Sequence, residues 1–339
     1  MPEWKRSVQR REFLKWCATA GAGALLNACG QRLPKTPASL PPTSQPQPPT
    51  ENTQPNGIAE SQAPTTSPAA GQPYLAVARG ESPEAITRAA VAALGGMERF
   101  VQPGAQVVIK PNICTDYYSY EYAATTNPTV VAALVSLALA AGAKRVRVMD
   151  LPFGGSAESA YVRSGIADAV QAAGGEMALM NPNKYVQTAI PNGRDLKEWP
   201  IYNDILEADV LINVPIAKHH GNAGLTLGCK NLMGTVLNRG QFHRNLHQRI
   251  ADLNTRVRPT LTVIDAVRIL MNNGPTGGNL NDVQLTNTVI ASPDIISADA
   301  YAATLFGRRG EDVDYIRFGA EMGLGVIDLN SIKIEEFSA

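Results

Sequence analysis

Val107-Val108-Ile109-Lys110-Pro111-Asn112 is an apolar, β-branched run that stops on a lysine, a proline and an asparagine. A short apolar run closed by turn-forming residues reads as a strand buried on both faces, here over Ala105 to Ile109. Working outward, Pro128 to Ala141 is rich in Ala, Val and Leu. Asn127 or Thr126 stands where a helix N-cap belongs, with Pro128 at the first helical position. A strand over Arg145 to Met149 and a helix from about Gly165 to Ala173 come next. Further strands are expected at Val210 to Val214, Leu261 to Ile264 and Thr288 to Ile290, with helices at about Leu246 to Arg256 and Ile295 to Phe306. Strands alternating with helices predict a single α/β domain over residues 74–339, with a mostly parallel sheet flanked by helices.

The residues directly after each strand carry the functional signal. The first strand runs into Lys110-Pro111-Asn112; the second ends at Asp150. Leu211-Ile212 leads through Asn213-Val214-Pro215 to Lys218-His219-His220, and Val263-Ile264 ends at Asp265. In open parallel sheets, ligands bind at strand carboxyl ends, where neighbouring loops converge. Each residue alone is equally explained as a turn; four such endings together point to a cleft.

All four histidines, His219, His220, His243 and His247, fall between residues 219 and 247. The same stretch holds Lys218, Cys229, Lys230, Asn231, Arg239 and several glycines. Cys229-Lys230-Asn231-Leu232 could open a helix whose amides face an anion. His243 and His247 are four apart and would share one helix face, either as metal ligands or as solvated neighbours of Arg244 and Arg249. No Glu follows His243, so the zincin signature is absent. Asp294 is expected to cap the last helix, and Asp299, if it points inward, needs a partner.

The amino-terminal residues give an address. Arg10-Arg11-Glu12-Phe13-Leu14-Lys15 precedes a weakly apolar stretch from Trp16 to Ala28 that is too short to span a membrane, for which about 20 residues are needed. Paired arginines before such a stretch read as a twin-arginine signal over residues 1–28. Leu26-Asn27-Ala28-Cys29 reads as a lipobox with Cys29 lipidated. Residues 29–73 hold 11 of the 24 prolines and form an expected disordered tether. The chain has 30 basic and 30 acidic residues; the signal takes five and two of these, leaving 25 and 28. A net of −3 has no basic footprint for nucleic acid. Beyond Cys17 and Cys29 only Cys114 and Cys229 remain, readable as a disulfide, as part of a metal site, or as two separate buried thiols.

The segments Val107 to Asn112, Ala124-Thr125-Thr126-Asn127-Pro128, Asn213 to His220, Gly228-Cys229-Lys230-Asn231-Leu232-Met233-Gly234, Ile264-Asp265-Ala266 and Ala298-Asp299-Ala300 resemble successive blocks of the Domain of Unknown Function 362 family. The resemblance implies that Lys110, Asn112, Thr125, Lys218, His220, Lys230, Asn231, Asp265 and Asp299 are the family positions. His219 stands where the family pattern has a small hydroxyl residue. Many relatives carry a cluster-binding ferredoxin module, which implies redox chemistry. No Cys-x-x-Cys run occurs here, so no iron-sulfur cluster is assigned.

These observations lead to an exported, lipid-anchored protein with its domain on the non-cytoplasmic side. It is read as an enzyme, or as a cofactor- or metal-dependent redox-related protein, with an anion-binding cleft. The alternative is a non-catalytic solute- or protein-binding lipoprotein. Lys218, His220 and Asp265 are the catalytic candidates, and Lys110, Asn112, Thr125, Lys230, Asn231 and Asp299 the ligand-binding ones. His219, His220, Cys114 and Cys229 are candidate ligands for a metal ion, the one cofactor considered. Expected partners are an anionic small molecule, the membrane through the lipid, and an envelope redox protein.

Overall fold

In the computed structural model, residues 74–339 are described. The twin-arginine signal, Cys29 and the tether lie outside the described residues. Twelve strands occur in chain order: β1 Leu75–Arg79, β2 Gln106–Pro111, β3 Arg145–Val148, β4 Glu176–Met177, β5 Tyr185–Ala189, β6 Glu198–Tyr202, β7 Val210–Val214, β8 Ile216–His220, β9 Gly224–Thr226, β10 Leu261–Leu270, β11 Val283–Ser292 and β12 Ile334–Ser338. Ten form one sheet, with the order β12-β1-β11-β10-β7-β2-β3-β4 and with β8 and β9 attached beyond β10. β5 and β6 make a separate antiparallel pair.

The sheet is parallel from β10 through β7, β2 and β3 to β4. β11 runs against its neighbours, lying antiparallel to both β10 and β1, and the short β9 lies antiparallel to β8. β1 therefore runs in the same direction as β10, β7 and β2, and begins at the sheet's amino-terminal edge. The expected mostly parallel α/β domain is what the chain builds.

Alternate residues of each strand serve two cores. Val107 and Ile109 of β2 and Val263 of β10 pack with Ile86, Val130, Leu134 and Val170 from helices Pro83–Ala93, Pro128–Ala140 and Ile166–Ala172. Val108 and Ile264 pack on the other face with Ile250, Ile296 and Ile316 from helices Leu246–Arg256, Ile295–Thr304 and Asp314–Glu321. Each fully buried aliphatic side chain contributes roughly 1.5–3 kcal/mol, so both helix layers are held on by the sheet's own alternation.

Helix starts obey their sequence signals. Asn127 accepts from the Thr129 N–H, and Asp294 accepts from the N–H groups of Ile296 and Ser297. Other expectations shift. Lys218, His219 and His220 lie within β8 rather than after a strand; β10 runs on past Ile264 to Leu270, and β11 starts well before Thr288, at Val283. Both are long because they pair with each other over most of their length, which short sequence windows do not reveal. His243 belongs to a 3-10 segment, Arg239–Asn245, and His247 to the helix after it, so they share no helix face.

Candidate functional site

A cavity of about 390 Å³ opens at the carboxyl ends of β2 and β3 and is closed on its other sides by β8 and the segment after β9. Register explains its floor. Val108 faces the Ile250 side of the sheet, so Lys110, two residues on, faces the same way as the strand ends. The Lys110 ammonium is fully committed there. It forms an ion pair with Asp150 Oδ1 at 2.8 Å and donates to Asn231 Oδ1 at 2.9 Å and to the Pro111 carbonyl at 3.0 Å. Burial pulls Lys110 below the ordinary lysine range, and Asp150 pulls it back.

Lys218 is committed in the same manner. Its Nζ donates to Asn112 Oδ1 at 2.9 Å and to the carbonyls of Ala124 at 2.6 Å and Pro275 at 3.0 Å. Three oxygen acceptors account for the three N–H bonds of an ammonium. Cys114 Sγ lies 2.8 Å from the same nitrogen and donates to Asn112 Oδ1. Asn112 Nδ2 donates in turn to Asn231 Oδ1, so one chain of side chains joins Lys110, Asn231, Asn112 and Lys218 across the floor. Asn231 reaches this position from the four-residue helix Gly228–Asn231 and is tied to β7 through Asn213 Oδ1.

Lys230 lines the cavity and differs from the other two lysines. It has no hydrogen-bond or ion-pair partner among the described residues, and burial holds it down at about 8, helped by the charges of Lys218, Arg239 and Lys110 against an opposing pull from Cys114. Arg239 donates to the carbonyls of Leu151 and Pro152 and fixes the loop after β3 to the cavity rim.

His220, 8% exposed, has a determined role. Its Nδ1 accepts from the backbone N–H groups of Asn222 and Ala223, both at 3.1 Å. The proton of the neutral ring therefore sits on Nε2, an assignment dictated by the hydrogen-bond network. Burial first, then Lys230 and Lys218, push His220 down to about 3. At neutral pH it is an uncharged N–H donor with no lone pair to spare.

The cavity thus gathers Lys110, Asn112, Cys114, Lys218, His220, Lys230 and Asn231 from the residues singled out in the sequence. Thr125, His219, Cys229, Asp265 and Asp299 do not line it. Asp265 accepts from the Asn127 N–H at 2.7 Å and the Val267 N–H at 3.0 Å, pinning the start of the Pro128–Ala140 helix to β10. Burial raises it to about 6. Asp299 accepts from the N–H groups of Gly228 at 2.6 Å and Cys229 at 2.8 Å, so it fixes the start of the segment that carries Lys230. His219 Nδ1 accepts from the Gly274 N–H, and Thr125 is buried beside the helix start. His243 borders the cavity, whereas His247 stacks on Tyr315 at 6.2 Å.

Cys114 and Cys229 are both free thiols. Among the described residues, no group of three or more His, Cys, Asp or Glu side chains is placed to hold a metal ion. The four candidate ligands are split: His220 and Cys114 line the cavity, while His219 and Cys229 do not. Arg239, Asp150 and Pro275 join the site although the sequence did not mark them as binding residues. Asp150 was visible as a strand ending; Pro275 comes from a distant loop and gave no signal.

A family model described as Domain of unknown function (DUF362) matches residues 107–304. The chain belongs to this family. The DUF362 match runs from the first strand of the cavity to the helix that carries Asp299, so the whole constellation lies inside it. A relative, the thylakoid-associated protein sll1697 of Synechocystis sp., is 29% identical over 215 residues, covering 61% of this chain. The chain spans 64% of that relative's length. Two solved structures overlap more loosely. The lactate racemase apoprotein of Thermoanaerobacterium thermosaccharolyticum has a TM-score of 0.42 at 11% identity, over 65% of this chain and 54% of the other. A Thermotoga maritima protein has a TM-score of 0.42 at 13% identity, over 68% and 60%. Neither overlap is close enough to transfer a site.

Proposed function

We propose that this DUF362 domain is an enzyme of small anionic metabolites, binding a carboxylate or phosphate group in the cavity at the strand carboxyl ends. One observation carries the reading. The lining holds four cationic side chains, Lys110, Lys218, Lys230 and Arg239, against a single carboxylate, Asp150, which is already paired with Lys110. Three positive charges are left in a partly enclosed space, where water screens them less than at a surface. The neutral His220 Nε2–H adds a directional donor. Together they suit an anion whose reacting part also needs a hydrogen bond.

Export and lipidation are part of the proposal and rest on the Arg10-Arg11 pair and the Cys29 lipobox. The relative's name associates that protein with the thylakoid, which is in keeping with a membrane setting. Among the described residues no helix is long and apolar enough to cross a membrane, and the lipid at Cys29 is the proposed attachment.

Calorimetric titration of the purified protein with sulfate and with oxalate tests the binding reading. Wild type should bind at least one of them, and Lys230→Met should weaken that binding about five-fold or more, in line with loss of a charge-assisted contact of roughly 1–3 kcal/mol. Equal binding by the variant, or none by wild type, would overturn it.

A further inference from the structure

Three lysines enter one cavity, and their surroundings divide them. Lys110 and Lys218 each have their N–H bonds taken up by three oxygen acceptors within 3.0 Å. A nitrogen held in that way has every N–H directed at an acceptor and presents none of its positions to a carbonyl carbon. Lys230 has none of these acceptors and projects into space next to those fixed charges. We propose that Lys230 is the reacting amine of the cleft and condenses with a small carbonyl compound that carries a carboxylate or phosphate. The carbonyl half stands on the contrast among the lysines; the anionic half rests on the anion-binding reading above.

The chemistry balances within the cavity. The Lys230 nitrogen lone pair bonds to the carbonyl carbon, and the carbonyl π pair moves onto oxygen. His220 Nε2–H is the fixed donor in the same cavity for that oxygen. One proton leaves nitrogen and one reaches oxygen to give the carbinolamine; loss of water then gives the imine. The net change is amine plus carbonyl to imine plus water, with no oxidant or reductant. Lysines set among other cations and away from bulk water are the ones that react in this way. With Lys230 held at about 8, roughly a tenth of it is free amine at pH 7, against about one part in several thousand for an ordinary lysine. Asp299 takes part by position, since it anchors the backbone of Gly228 and Cys229 immediately before Lys230.

Reductive trapping tests this on the full-length protein. Glyoxylate, an anionic aldehyde, and acetaldehyde, a neutral one, are each incubated with the protein and cyanoborohydride at pH 7, and modified lysines are mapped by peptide mass spectrometry. The expected result is glyoxylate-derived label on Lys230 at about ten-fold or more the level on the exposed Lys144, with acetaldehyde labelling Lys230 less. If Lys230 is labelled no better than Lys144 by either aldehyde, the amine proposal is overturned, even where sulfate or oxalate still binds in calorimetry. Equal labelling of Lys230 by both aldehydes supports the amine and overturns the anionic substrate class.

Discussion

The Lys110 ammonium and the Asp150 carboxylate meet at 2.8 Å with side-chain exposures of 2% and 4%, at the ends of two neighbouring parallel strands. Gly234 passes directly over them: a Cβ on residue 234 would stand 2.1 Å from Asp150 Oδ1 and 2.5 Å from Lys110 Nζ. Both partners are buried, so neither can move aside into water. Gly234→Ala should therefore push the pair apart and lower stability by about 2–4 kcal/mol, the cost associated with disturbing a buried ion pair. Thermal unfolding checks this; an unchanged Tm would mean that the segment after Asn231 shifts freely.

Anion binding should depend on pH through Lys230, and His220 should add no step in the range where histidines usually titrate. Lys230 carries its charge below about 8, so binding of sulfate, which stays ionised throughout, should be full at pH 6 and decline as pH rises through about 8. His220, held at about 3, contributes no step near 6.5. The charged or titratable groups sharing the cavity are Lys110, Lys218, Arg239, Asp150, Cys114 and His243. A calorimetric series from pH 5.5 to 9 on wild type and on His243→Gln is the measurement, and a binding step near 6.5 that persists in the variant would contradict the assignment of the His220 proton.

Cys114 and Cys229 should differ sharply in the native protein. Cys114 lines the cavity, whereas Cys229 is 0% exposed. Of these two, iodoacetamide should modify only Cys114 until the protein unfolds, when both react. Intact-mass analysis before and after adding guanidinium reads this directly.

Asp299 should contribute a pH-dependent share of stability. Burial raises it to about 7 from an ordinary value of 3.8. A carboxyl group raised on folding favours the folded state fully below its unfolded value, and that contribution fades as pH rises through the folded value. The stability advantage of wild type over Asp299→Asn should thus shrink between about pH 4 and 7. Tm values for both proteins across that range give the comparison.

Much of the layout was legible because it depends on local pattern. The apolar runs at Val107 and Val210 and the capped helix at Pro128 needed only period and turn chemistry. Lys110, Lys218 and His220 could be picked as strand-end polar groups. Asp265 looked the same in sequence and Asp299 was picked through the family resemblance, yet both face backbone N–H groups at helix starts, and only the assembled sheet separates an acid aimed at a ligand from one aimed at an amide. β8 was not legible either, because it pairs with β10, far along the chain, and the short β9 joins the sheet through β8 alone. The difference between Lys230 and the two saturated lysines is a matter of neighbours in space, supplied by Ala124 and Pro275 from other segments.

The direction of β1 separates the entry of the chain into the sheet from the cavity. Tyr74 enters β1 at the amino-terminal edge of the sheet, while the cavity opens at the carboxyl-terminal edge of β2 and β3. The start of β1 and the mouth of the cavity therefore lie at opposite edges of the sheet. Whatever covers the Tyr74 edge of the sheet leaves the cavity mouth at the far edge open to solutes.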